Sequence, residues 1–174
     1  MIEFLPIDLS NSEHGAFVYD VMKACEKELL DDFDNDIILL IEELEALIRI
    51  GDSKGFIVLY DGNPIGIIHM SIDRYQIGCL HGGMLPEYAN GLGRKAYKSV
   101  KKFIQFAFEN FKIRKIKAEI PTYNRKAERI LLGMGFKKEG LFLEQTIRNG
   151  KPENVVSLQL LKSAYYNREK MNGN

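Results

Sequence analysis

The stretch PEYANGLGRKA, residues 86–96, decides how this chain is read. Gly91 and Gly93 stand two apart, Arg94 follows, and an amphipathic run begins at once. A helix N-terminus carries unpaired N–H groups and the positive end of the macrodipole. Glycine at that point removes the Cβ that would block a phosphate, and arginine adds charge. A glycine-rich turn without a ligand would read the same, so the neighbourhood has to decide. Two other phosphate motifs do not fit: GxxxxGK[ST] is absent, and there is no third glycine with a following acid for a dinucleotide fold.

Working outward, Leu92, Ala96, Val100, Phe103, Ala107 and Phe111 form one apolar helical stripe, with Lys95, Lys98, Lys101, Lys102 and Gln105 largely opposite. Before the glycines, GFIVLY, DGN and PIGIIHMSI read as a hairpin turning at Asp61-Gly62, and IGCLHGGML as a third strand ended by Pro86. After the long helix, KIKAEI alternates as a strand and NRKAERILLGMGF reads as a short helix ending at Gly135. LFLEQTI, RNGKPEN and VVSLQLL read as a closing hairpin. At the other end, residues 12–30 read as a helix with Ser10 and Glu13 as a capping box. Residues 34–50 read as a second, with Ile37, Ile41, Leu44, Leu47 and Ile48 on one face and Gly51 as its stop. The order, about ααβββαβαββ, predicts an α/β (α+β) fold.

The bulk properties narrow the function. With 174 residues, 45% hydrophobic and 28% charged, the chain is one globular domain's worth. Residues 1–166 are expected to form that domain and 167–174 a polar, disordered tail. No apolar stretch approaches the ~20 residues that span a membrane, and the acidic start MIEFLPIDLS lacks a signal peptide's basic region. Cys25 and Cys79 have no CxxC spacing, so a reducing cytoplasm is expected. Histidines only at 14, 69 and 81 give a metal little to bind, and none is expected. The net charge is zero, but residues 1–50 hold thirteen acids against three Lys/Arg, and residues 91–138 hold fourteen Lys/Arg against three acids. Two solvated faces of opposite sign would account for this, and so would a polyanionic ligand on the basic part with a cationic one near the acidic part.

Taken together, the strand, the glycine turn, the long helix, the next strand and YNRKAERILLGMGFKKEG resemble the GNAT superfamily of acetyl-CoA-dependent N-acetyltransferases over residues 53–162. The family's phosphate loop, [QR]-x-x-G-x-[GA], stands here as Tyr88-Ala89-Asn90-Gly91-Leu92-Gly93, with Tyr88 in place of Gln or Arg. Its later motif matches at Asn124, Ala127 and Gly135-Phe136, and KKEG with RNGKPENVVSLQLL looks like the RimJ/RimL-type branch. The resemblance implies a mixed, mostly antiparallel twisted sheet flanked by helices. It implies acetyl-CoA as co-substrate, an amine acceptor, and a monomer or homodimer. Met84 would meet the pantetheine arm through its backbone, with Gly82 and Gly83 easing close approach by a ligand or a bulge. Asn90 to Arg94 would hold the pyrophosphate, and Asn124 the pantetheine, although Asn124 also suits a helix N-cap. Arg125, Lys126 and Arg129 could meet a 3′-phosphate.

For direct attack on a thioester, the amine must lose a proton and the thiolate must gain one. The family's acid position is Leu131 here, and its base region reads Tyr75-Gln76-Ile77, so neither group is where the family has it. His81 is the candidate base, since imidazole titrates near pH 6.5; a packed strand histidine is the alternative. Tyr123 is the candidate donor, Glu87 and Tyr88 are weaker candidates, and His69 reads as a strand residue. Two further readings stay open. One is a catalytically silent CoA-binding or assembly module. The other is a nucleic-acid binder using residues 91–138, disfavoured because the chain lacks overall basic charge and a helix-turn-helix pattern.

Overall fold

The computed structural model describes residues 1–25, 37–89 and 94–172. Among them are seven strands and six helices: β1 (Ile2–Pro6), α1 (Ser12–Ala24), α2 (Ile37–Arg49), β2 (Ser53–Tyr60), β3 (Asn63–Ile72), β4 (Ile77–Met84), α3 (Pro86–Ala89), α4 (Arg94–Asn110), β5 (Lys115–Pro121), α5 (Arg125–Gly133), β6 (Lys137–Arg148), β7 (Lys151–Leu161) and α6 (Lys162–Asn172). The fold is the expected mixed α/β class, with antiparallel β1–β2, β2–β3, β5–β7 and β6–β7 ladders and a parallel β4–β5 ladder. The chain forms two compact units, Met1–Ser71 with His81–Ile104, and Ile72–Leu80 with Gln105–Asn174.

In the first unit, Asp61 (φ 52°) and Gly62 (φ 79°) make the expected two-residue hairpin turn, where both central residues need positive φ. β1 is an addition to the sequence reading: it pairs Ile2–Pro6 with Tyr60–Phe56. It is short and ends in proline, which an edge strand tolerates, so it carried little signal. Helix α1 is capped by Asn11, whose side chain accepts from the Glu13 N–H at 2.9 Å. The expected Ser10 capping box does not form, because the Ser10 hydroxyl donates instead to Asp8 at 2.6 Å. On α2, Ile37 and Leu44 are buried and Ile41 and Ile48 pack on the core, but Leu47 is 39% exposed and leaves the predicted face. These helices cover Ile7, Ile57 and Ile67 of the sheet side. Phe4, Phe56 and Phe103 meet edge to face, with centroids 5.2–6.4 Å apart.

In the second unit, Ala107 and Phe108 continue the buried side of α4, and Phe108 meets Tyr165 of α6 at 5.4 Å. The β6–β7 turn is only Asn149 (φ 52°) and Gly150 (φ 71°), so the expected loop RNGKPEN is mostly strand. Residues 167–172, expected as a disordered tail, are helical. Arg168 of α6 donates to the Gly133 carbonyl at 3.0 Å and fills the space beside Gly135, whose φ of 99° and lack of a Cβ permit that approach. Helix 12–30 is borne out to Ala24 and helix 34–50 from Ile37; the residues between them lie outside the described ones.

Candidate functional site

The candidate residues divide between the two units. In the first, β4 brings Gly82 against β3: a Cβ at Gly82 would stand 2.5 Å from the Ile67 carbonyl oxygen and 3.1 Å from Ile68 Cα. Glycine is needed there for a neighbouring strand, which is a use of the space that competes with the expected ligand approach. Leu85 N–H donates to the Ile65 carbonyl at 2.9 Å. By strand alternation, Met84 turns its backbone to the opposite edge, where its carbonyl accepts from the Cys25 thiol at 3.2 Å. Arg94 opens α4 and is exposed; Asn90, Gly91, Leu92 and Gly93 lie outside the described residues. Lys95, read as part of a solvated face, lies 5.0 Å from the ring centroids of both Tyr60 and Tyr88.

His81 is exposed on β4, and its ring lies on that of His69 from β3, centroids 4.6 Å apart and planes 9° from parallel. On its own strand pair, His69 Nδ1 stands 3.4 Å from the hydroxyl of Ser53, which is buried. Burial pushes the His69 imidazole down to about 3, and the neighbouring His81 pushes the same way, so His69 is neutral at ordinary pH. His69 was set aside in the sequence, yet His69 and His81 are equidistant from Tyr75 in the β3–β4 turn. The Asp73 carboxylate fixes that turn by accepting from Tyr75 and Ile77 N–H at 2.8 and 2.9 Å. Symmetry about the turn was the available signal.

In the second unit, Asn124 is the N-cap of α5, its side chain accepting from Ala127 N–H at 3.1 Å. Asn124 and Ala127, matched by motif, are thus joined by one hydrogen bond. Arg125, Lys126 and Arg129 are exposed along the same helix. Glu128 is buried at 6% exposure, 2.8 Å from Lys138 and 3.5 Å from Arg125. The Lys138 hydrogen bond holds its carboxyl below the usual range, opposed by burial. Lys138 itself is exposed and comes from a different element, so the linear spacing does not reveal this ion pair. Tyr123 is half-buried, with the Arg148 guanidinium 3.9 Å from its ring centroid. Leu131 is a core residue at 6% exposure, so the family's acid position carries packing. Gln76 sits in the β3–β4 turn at φ 62°, its carbonyl accepting from Arg114 N–H.

The residues fit a CoA-type co-substrate in one structural respect beyond charge. The β4–β5 ladder runs from Ile77/Lys115 to Cys79/Lys117 and stops there among the described residues, while β5 continues to Pro121. A strand edge without a ladder partner is what an amide-bearing arm pairs with. Burial, with Glu119 adding to it, pushes the Cys79 thiol up to about 11, so it is no ready nucleophile. Among the described residues, no group of three or more His, Cys, Asp or Glu could hold a metal ion. No helix among them is long and apolar enough to cross a membrane.

A similar arrangement of strands and helices is found in solved structures of spermidine N-acetyltransferases. Mutant forms of the spermidine/spermine N-acetyltransferase SpeG from Vibrio cholerae superpose with a TM-score of 0.78 at 19% identity, covering 97% of this chain and 98% of that one. The Vibrio cholerae spermidine N-acetyltransferase in complex with CoA and spermine gives 0.73 at 20% identity, over 95% and 98% of the two chains. A dodecameric structure of that enzyme in an intermediate state gives 0.76 at 20% identity, over 96% and 97%. The sequence matches no protein-family model and no curated protein.

Proposed function

We propose that this protein is a cytoplasmic, acetyl-CoA-dependent N-acetyltransferase acting on a primary amine, with a polyamine as the acceptor class. The observation that carries the reading is the fold shared with spermidine N-acetyltransferases over 97% of the chain. The acidic first fifty residues suit a polycationic acceptor, and the thiols of Cys25 and Cys79, which form no disulfide, suit a reducing compartment. The RimJ/RimL-like closing hairpin makes a protein N-terminus the second acceptor to try. The quaternary state is proposed as monomer or homodimer.

In this reading Met84 holds the pantetheine through its backbone. Asn90, Gly91, Leu92, Gly93 and Arg94 cradle the pyrophosphate at the start of α4. Asn124, Ala127 and Arg129 bind from α5. Acetyl-CoA, when bound, supplies a thioester whose carbonyl carbon bonds to the amine nitrogen as its C–S bond breaks. His81 takes the proton that the amine loses, and the Tyr123 hydroxyl gives its proton to the departing sulfur.

A second reading, a catalytically silent CoA-binding or assembly module, is favoured by Leu131 being a core residue and Gln76 a turn residue where the family has its acid and base. Thermal unfolding with excess acetyl-CoA tests binding, which both readings require. Wild type is expected to gain about 2.7 kcal/mol at a hundredfold excess over Kd, and a Gly91→Glu/Gly93→Glu double variant to gain nothing. No gain in wild type overturns both. Turnover of spermidine then separates them.

A further inference from the structure

We propose that His69 is the positioning residue for His81: seated flat against that ring and anchored at Ser53, it fixes the plane in which the exposed imidazole meets the amine. The inference rests on the N-acetyltransferase reading and on His81 as its base.

A histidine on an exposed strand face has two free side-chain torsions and sweeps a wide arc. A base must instead be held close to one geometry, because small displacements of a reacting group cost large factors in rate. Here the second ring supplies one such restraint. The 9° interplanar angle and 4.6 Å separation describe an offset stack, and the overlapping part of the lower ring restrains the plane of the upper one. The lower ring must itself be fixed for this to work. It is half-buried on β3, with Ser53 Oγ 3.4 Å from its Nδ1. Gly82 contributes from the other side. Its missing Cβ lets β4 lie close on Ile67 and Ile68, and so brings the residue before it over His69.

The lower ring must also stay uncharged. Two stacked imidazolium ions would repel, and the ring that is buried is the one that resists protonation. His81 therefore takes up a proton beside a neutral partner. A phenylalanine at position 69 would supply the same flat, uncharged surface, whereas alanine would remove it.

The test is steady-state acetyl transfer from acetyl-CoA to spermidine by wild type, His69→Ala, His69→Phe, His81→Ala and the double His69→Ala/His81→Ala variant. Circular dichroism reports folding of each, and the ring-current shift of the His81 ring protons is read by NMR. His69→Ala is expected to lose the ring-current shift and to lower kcat about tenfold with the KM for acetyl-CoA unchanged. His69→Phe is expected to restore most of both. The double variant is expected to be no slower than His81→Ala, because His69 acts only through His81. Wild-type kcat in His69→Ala, or losses that multiply in the double variant, would overturn the positioning role and leave the enzyme reading standing. An unchanged kcat in His81→Ala would overturn His81 as the base and the positioning role with it. Absence of turnover in wild type, with the ring-current shift present, would overturn the enzyme reading and the role together.

Discussion

The region around His81 and the region around Asn124 are organised differently. Asn124 is held by a neighbour three residues along, through one hydrogen bond to the Ala127 N–H. His81 is set by residues from other strands: His69 stacked on it, Ser53 behind His69, and the β3 backbone pressed against Gly82. A cap is cheap, local and worth about 1 kcal/mol. A stack between strands depends on the sheet register, so a single added methyl group at Gly82 reaches it. Proton transfer, which needs one held geometry, is proposed for the region with the non-local restraint. Cofactor binding, which spreads over many contacts, draws partly on the local one.

That contrast can be broken most forcefully at His81. His81→Ala is expected to lower kcat about a hundredfold, roughly 2.7 kcal/mol of transition-state stabilisation, with the acetyl-CoA KM within about twofold. Next comes Gly82→Ala, where the 2.5 Å approach of the Ile67 carbonyl leaves no room for a methyl group. Urea denaturation is expected to show a loss of about 2 to 3 kcal/mol.

His69 gives a pH signature. Its folded pKa is pushed down to about 3, so the unfolded chain binds a proton below about 6.5 that the folded chain refuses. Stability from this group is present at neutral pH and is lost as pH falls through that window. Between pH 7 and pH 5 the loss is about 2 kcal/mol, and the difference between wild type and His69→Phe in denaturation at the two pH values isolates it. The smallest effect belongs to the local side: Asn124→Ala is expected to cost about 1 kcal/mol of stability. A loss of several kcal/mol there would mean that Asn124 does more than cap α5.

The same division explains what could be read from the chain. The hairpin at Asp61-Gly62, the Asn124 cap and the buried line Ala96–Phe103–Ala107 all depend on spacings within a few residues, and all are present. The β1 strand, the His69–His81 stack and the Glu128–Lys138 pair join residues from different elements, and the linear pattern carries little trace of them. Ser10 shows a local signal misread, because Asp8 competes for its hydroxyl and Asn11 takes the cap. The tail beyond residue 166 looked polar and disordered, but Arg168 turns back onto Gly133 and the helix continues to Asn172. The glycine turn that set the fold reading, Gly91 to Gly93, lies outside the described residues.

The most direct test of the proposed activity is release of free thiol from acetyl-CoA, followed with and without spermidine in wild type and His81→Ala. Release is expected to require the amine, to saturate with it, and to fall about a hundredfold in the variant. Binding of acetyl-CoA without amine-dependent thiol release, for spermidine and for a peptide with a free N-terminus alike, would contradict the proposed activity and leave the silent CoA-binding module in its place.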